Sequence, residues 1–98
     1  MIIVLGNVKV QSGQEGHALE LSQEHVLRSR SEPGCIVHGV HLDHKDPQRL
    51  VFVERWADLA SLKAHFQVPA ARAFARALGS MAIEAPGMSV FEARELAL

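Results

Sequence analysis

The sequence predicts an α+β fold in which an antiparallel four-stranded sheet carries helices on one of its faces. Three observations predict it. Four short runs rich in β-branched and apolar residues are spread along the 98 residues. The first and second runs, and the third and fourth, are separated by stretches with helical spacing. Only the polar loop DHKDPQ separates the second run from the third, and so short a connection implies an antiparallel pair.

Each element has a local reason. Residues 2–10, IIVLGNVKV, read as the first strand because β-branched side chains suit a pleated surface. Ser12 and Glu15 have capping-box spacing, so a helix should begin near Gly13 and run to about Ser31. Ala18, Ser22, His25, Val26 and Ser29 share one stripe of it, widened by Leu19, Leu21 and Leu27. Glu32-Pro33-Gly34 ends that helix in a tight turn. CIVHGVHL (35–42) and RLVFVERW (49–56) are the second and third strands. Asp58 can cap a short helix in which Leu59, Leu62 and Phe66 share a face. Pro69 suits a first helical turn and opens another helix, which Gly79 closes. Ala85-Pro86-Gly87 introduces the last strand, MSVFEARE (88–95). The order β-α-β-β-α(α)-β is that of a ferredoxin-like split β-α-β, one domain spanning residues 1–98.

Composition narrows the function classes. Hydrophobic residues make up 48% of the chain and the net charge is −1, which fits a globular domain and gives no basic footprint for nucleic acid or membrane. A single cysteine excludes an internal disulfide and a CxxC site. The opening MIIVL is too short for a signal-peptide core or a membrane span, so a cytoplasmic protein is expected. No GxGxxG, Walker or GxSxG pattern occurs, so no nucleotide cofactor is expected. The third strand alternates Phe52, Glu54, Trp56 with Val51, Val53, Arg55, and the second alternates Ile36, His38, Val40 with Val37, Gly39, His41. Both faces are substantially apolar, yet one chain has helices for one face only. A homodimer is therefore expected.

The string EPGC at 32–35, the ERW of the third strand, and LKAHF with a histidine nine residues after the tryptophan resemble the antibiotic biosynthesis monooxygenase (ABM) family, especially its small quinol-monooxygenase-like members. The resemblance runs from the first strand to the last. It implies a dimeric α/β barrel with a pocket between sheet and helices in each subunit. It further implies oxygenation, by O₂, of a small aromatic phenol, quinol or anthrone without metal or flavin. Some relatives degrade haem, using an asparagine near Asn7 together with a helical tryptophan and a histidine ligand. Aligned with them, His65 falls at the tryptophan and Ala75 at the ligand, so the resemblance disfavours haem here.

Cofactor-free oxygenation needs an apolar cavity, a base for the substrate hydroxyl and a donor for the resulting oxyanion. His65 and His38 are the candidate catalytic groups, and each also has a reading as a structural histidine. His38 stands where relatives often carry a cavity-facing tyrosine, a residue this chain lacks altogether. His25 interrupts an apolar stripe and needs a partner or a cavity. Asn7, Phe52, Trp56 and Arg76 complete the candidate substrate-binding set, with Arg72 one turn before Arg76 as a substitute. Glu54 is read as structural, paired with an arginine or a donor at an interface. His41, Asp43 and His44 are read as a solvated loop rather than a metal site, and Cys35 as buried and inert. A non-catalytic module for small hydrophobic ligands, or an isomerase, is the alternative on the same fold.

Overall fold

The computed structural model describes residues 1–98. Its elements are β1 (Ile2–Lys9), α1 (Glu15–Ser29), β2 (Cys35–Leu42), β3 (Arg49–Trp56), α2 (Leu59–Gln67), α3 (Pro69–Met81) and β4 (Gly87–Glu92). The sheet order is β2-β3-β1-β4 with every neighbouring pair antiparallel, the predicted α+β arrangement. No helix is long and apolar enough to cross a membrane.

The inner face of the sheet is written in the alternation of β1 and β3. Ile2, Val4, Gly6 and Val8 pair with Trp56, Glu54, Phe52 and Leu50, and these side chains point toward the helices. They build two apolar clusters. Val8, Val10, Leu50 and Phe52 pack with Ala18 of α1 and with Leu78 and Met81 of α3. Ile2, Val4 and Trp56 pack with Leu62 of α2. Glu54 is the β3 residue between Phe52 and Trp56, so a carboxylate stands where the two apolar clusters meet.

Several predicted boundaries move for local reasons. Gly13 takes a left-handed φ of 93°, which makes residues 11–14 a turn, and α1 starts at Glu15. Ser12 does not cap it; instead the Gly13 N–H donates to the Glu15 carboxylate. The stripe of α1 is buried as predicted, except that Leu27 points to solvent. On α2 the buried pair is Leu62 and His65, three residues apart, whereas Leu59 and Phe66 are largely exposed. Asp58 caps α2 as expected, accepting from Ser61 N at 2.8 Å. Gly79 does not end α3, which runs to Met81 and gives the Gly79 carbonyl to the Ala82 N–H. β4 stops at Glu92 rather than residue 95.

The strand β2 departs from simple alternation. Cys35 pairs with Trp56 and Val37 with Arg55, so Ile36 is an extra residue and the ladder is bulged there. Ile36 is consequently exposed and not on the His38 face, while His38 turns inward opposite Glu54. The outer face of the sheet carries Leu5, Val37 and Phe91, all more than a third exposed, beside half-buried Ile3, Val51 and Val53.

Candidate active site

Three elements bring three histidines to one place. His25 comes from the inward stripe of α1, His38 from β2 just past the bulge, and His65 from the buried side of α2. Their ring centroids are 5.1 Å (His25–His38), 5.3 Å (His25–His65) and 5.5 Å (His38–His65) apart. All three are buried.

Each ring has a distinct set of partners. His65 Nδ1 lies 2.9 Å from Glu32 Oε1, so the ring N–H donates to the carboxylate and the Nε2 lone pair is left open. Trp56 packs against the same ring at 4.8 Å. His25 stacks on Phe74 with centroids 4.1 Å apart and planes 9° from parallel. Its Nδ1 lies 2.9 Å from Arg28 Nη2 and must accept from it, which puts the neutral ring's proton on Nε2. Burial first, and then the neighbouring His38, His65 and Arg28, lower the pKa of His25 from 6.5 to about 3. It is neutral at physiological pH.

His38 is the least satisfied of the three. Its Nε2 lies 3.3 Å from Glu54 Oε1, within ion-pair distance but outside hydrogen-bond geometry, and neither ring nitrogen has a hydrogen-bond partner. An unpaired buried polar group costs about 1–3 kcal/mol, so the ring is held there by the fold around it. Glu54 Oε1 also accepts from Trp56 Nε1 at 2.9 Å. Burial raises the Glu54 carboxyl, but the His38 imidazole, the Trp56 N–H and the His65 ring outweigh it and leave the carboxyl below its usual range. Glu54 is thus paired with His38 and Trp56, not with the arginine or interface donor expected. Cys35 is only partly buried; burial first, then Glu54 and Glu32, push its thiol up, away from the reactive thiolate.

Beside this cluster lies a cavity of about 270 Å³ between the sheet and α2 and α3. Its walls are Val4, Val8 and Phe52 from the sheet and Phe66, Phe74 and Leu78 from the helices. Its polar groups are His25, His65, Glu54, Asn7 and Arg72. Asn7 borders the cavity, but its side chain lies on the β1 face opposite Val4, Gly6 and Val8, where its Oδ1 accepts from Arg49 Nη1 and its amide nitrogen lies beside Gly87. A Cβ at Gly87 would come within 2.8 Å of that nitrogen, so glycine leaves it room.

The predicted site residues divide accordingly. His25, His65, Phe52 and Asn7 line one cavity. His38 does not: it stands behind the lining, against Glu54. Trp56 is not a cavity wall, because it is wholly buried beneath His65 with its N–H committed to Glu54. Arg76 is exposed and turned away, and Arg72, one turn earlier, lines the cavity instead, its guanidinium bonded to Phe66 O and the Gln67 side chain. Glu32, Glu54 and Phe74 were not predicted as site residues. Glu32 was legible only as part of the EPGC turn, and Glu54 only as a carboxylate inside an apolar strand.

The comparisons with known proteins agree with this architecture. The family model described as antibiotic biosynthesis monooxygenase matches residues 1–77. The chain is 40% identical over 68 residues to the uncharacterized protein sll1783 of Synechocystis, covering 69% of this chain but 46% of that longer one. It is 27% identical over 94 residues to the Escherichia coli K12 protein named "Probable quinol monooxygenase YgiN", covering 86% of this chain and 90% of that one. A solved antibiotic biosynthesis monooxygenase superposes with a TM-score of 0.90 at 24% identity, over 97% of this chain and 100% of its own. A Deinococcus radiodurans structure does so with a TM-score of 0.93 at 22% identity, over 100% and 97%. The family match over most of the chain, on a fold with the same sheet and helices, establishes that this chain belongs to the antibiotic biosynthesis monooxygenase family.

Proposed function

We propose that the chain is a monooxygenase that oxygenates a small phenol or quinol inside the cavity, the substrate itself supplying the electrons. The observation that carries this reading is the His65–Glu32 pair opening onto an apolar cavity. A carboxylate that holds Nδ1–H keeps the Nε2 lone pair ready and stabilises the imidazolium formed when that nitrogen takes a proton. With its hydroxyl proton on His65 the substrate becomes an electron-rich anion able to reduce O₂. One oxygen atom then enters the ring carbon and the other leaves as water, so that a phenol and O₂ give a quinone and H₂O. Phe52 and Phe74 supply flat apolar contacts. An engineered cavity of ~150 Å³ takes up benzene, so about 270 Å³ suits one or two rings.

The reading includes a homodimer. Leu5, Val37 and Phe91 on the outer sheet face remain open to solvent, and a second copy laid over that face would cover them.

Oxygen uptake by chelator-treated protein, with a panel of phenols, quinols and anthrones, tests the activity. Uptake above background that is lost in His65→Gln supports it. Absence of uptake with every substrate overturns it, and thermal stabilisation by the same compounds would then assign binding alone.

A further inference from the structure

The three histidines are also arranged as ligands. We propose that His25, His38 and His65 together bind one divalent transition-metal ion at the inner end of the cavity. One nitrogen from each ring lies within 4.8 Å of the other two. A tetrahedral ion with metal–nitrogen bonds of about 2.0–2.1 Å spaces its ligand nitrogens roughly 3.4 Å apart, so the nitrogens need to close by up to about 1.4 Å.

No hydrogen bond opposes that movement at His38. Its ring is buried, neither nitrogen has a hydrogen-bond partner, and it touches Glu54 only at 3.3 Å. An ion would give it the partner it lacks. His65 is already oriented for ligation: its Nδ1–H is fixed by Glu32, the carboxylate–imidazole arrangement that turns the opposite nitrogen toward a metal. His25 is stacked in place by Phe74. Glu32 and Glu54 place two carboxylates around the centre, matching a divalent ion in a buried site. Three imidazoles suit zinc, copper, nickel or iron, and do not suit magnesium or calcium, which take oxygen ligands.

One contact opposes ligation. Arg28 donates to His25 Nδ1, which places the ring proton on Nε2. Metal at Nε2 requires that proton to move to Nδ1 and Arg28 to swing away, so removing Arg28 should tighten binding. Where the oxygenase reading also holds, His65 Nε2 serves either as base or as ligand, and the ion blocks the reaction.

The test is a titration of chelator-treated protein with Co²⁺, read by its visible ligand-field bands, and with Zn²⁺, read by calorimetry. The expected result is one ion per chain, weakened about tenfold or more in His38→Gln and His65→Gln. Binding should be tighter in Arg28→Ala and unchanged in a variant with exposed His17, His41 and His44 all replaced by alanine. Far-ultraviolet circular dichroism shows whether each variant is folded. No stoichiometric binding, or binding that persists in folded His38→Gln and His65→Gln, or that is lost with the three exposed histidines, overturns the proposal. Its readout needs no turnover, so failure of the oxygenase reading leaves it decidable. If both readings hold, one equivalent of Zn²⁺ abolishes oxygen uptake and chelation restores it.

Discussion

His65 Nδ1 and Glu32 Oε1, 2.9 Å apart, join α2 to the turn that precedes β2 across 33 positions of sequence. The bond fixes the tautomer of the ring and gives an imidazolium a charged partner. Glu32→Gln keeps an acceptor but removes the charge. Oxygen uptake should fall roughly 10- to 100-fold, the worth of one charged hydrogen bond, against roughly 10²–10⁴-fold for His65→Gln. Equal activity in Glu32→Gln and the parent would show that the pair does not assist proton transfer.

Trp56→Phe keeps the aromatic packing beneath His65 but removes the only N–H that bonds Glu54 with good geometry. The buried carboxylate loses a donor, so unfolding in urea should show a loss of about 1–3 kcal/mol. A midpoint that does not move would mean that water or His38 replaces the indole.

Gly34 holds a φ of 82°, and a Cβ built there would lie 2.1 Å from Ser61 Oγ. Gly34→Ala should therefore cost more than the ~1–2 kcal/mol of the left-handed backbone alone. Ser61→Gly removes the obstruction but not the backbone strain. In the double variant the penalty should shrink without vanishing, a coupling that a double-mutant cycle reads directly.

Asp58 accepts the Ser61 N–H at the start of α2, and that bond holds its carboxyl below the usual 3.8. A depressed carboxyl contributes stability that is present above the unfolded value and lost as pH falls through the folded one. Asp58→Asn still caps but does not titrate. Its stability should fall less steeply than the parent's below about pH 4, as followed by thermal melts in acid.

Leu5→Asp puts a charge in the middle of the exposed apolar sheet face, opposite Val53. If a second copy covers that face, light scattering at micromolar concentration should give a dimer for the parent and a 10.7 kDa monomer for the variant. A monomeric parent ends the dimer proposal.

The architecture was legible because its signals are local. Alternating β-branched runs, Asp58, Pro69 and the Pro33-Gly34 turn each act within a few residues, and all produced the elements they predict. The misplaced boundaries also have local causes: Gly13 makes a turn where a capping box was read, and Gly79 stays helical because nothing forces a left-handed residue there. The site was harder, because its geometry depends on which residues tertiary packing brings together. His41, Asp43 and His44 attracted attention by adjacency, while the histidines that meet are 13 and 27 positions apart along the chain. Trp56 shares the inward face of Phe52 and Glu54, but it stands at the strand end beneath His65, and α3 presents Arg72 rather than Arg76 to the cavity. Glu54 read as structural because no arginine-free partner set was visible without the fold.

The bulge at Ile36 sets which residue of β2 meets Glu54. The Glu32 carbonyl anchors the strand's first residue and the Gly34 carbonyl anchors its neighbour Ala57, so the starting end cannot slide freely. Deleting Ile36 would remove the bulge and leave His38 opposite Glu54, whereas pairing Ile36 with Arg55 in a regular ladder would seat Val37 opposite Glu54 and send His38 to the outer face. At a fixed number of residues, flattening the bulge therefore exchanges an imidazole for an isopropyl group opposite Glu54 without substituting either residue. The composition of the polar cluster is a matter of counting as much as of identity, and residues aligned by type alone will misplace it by one.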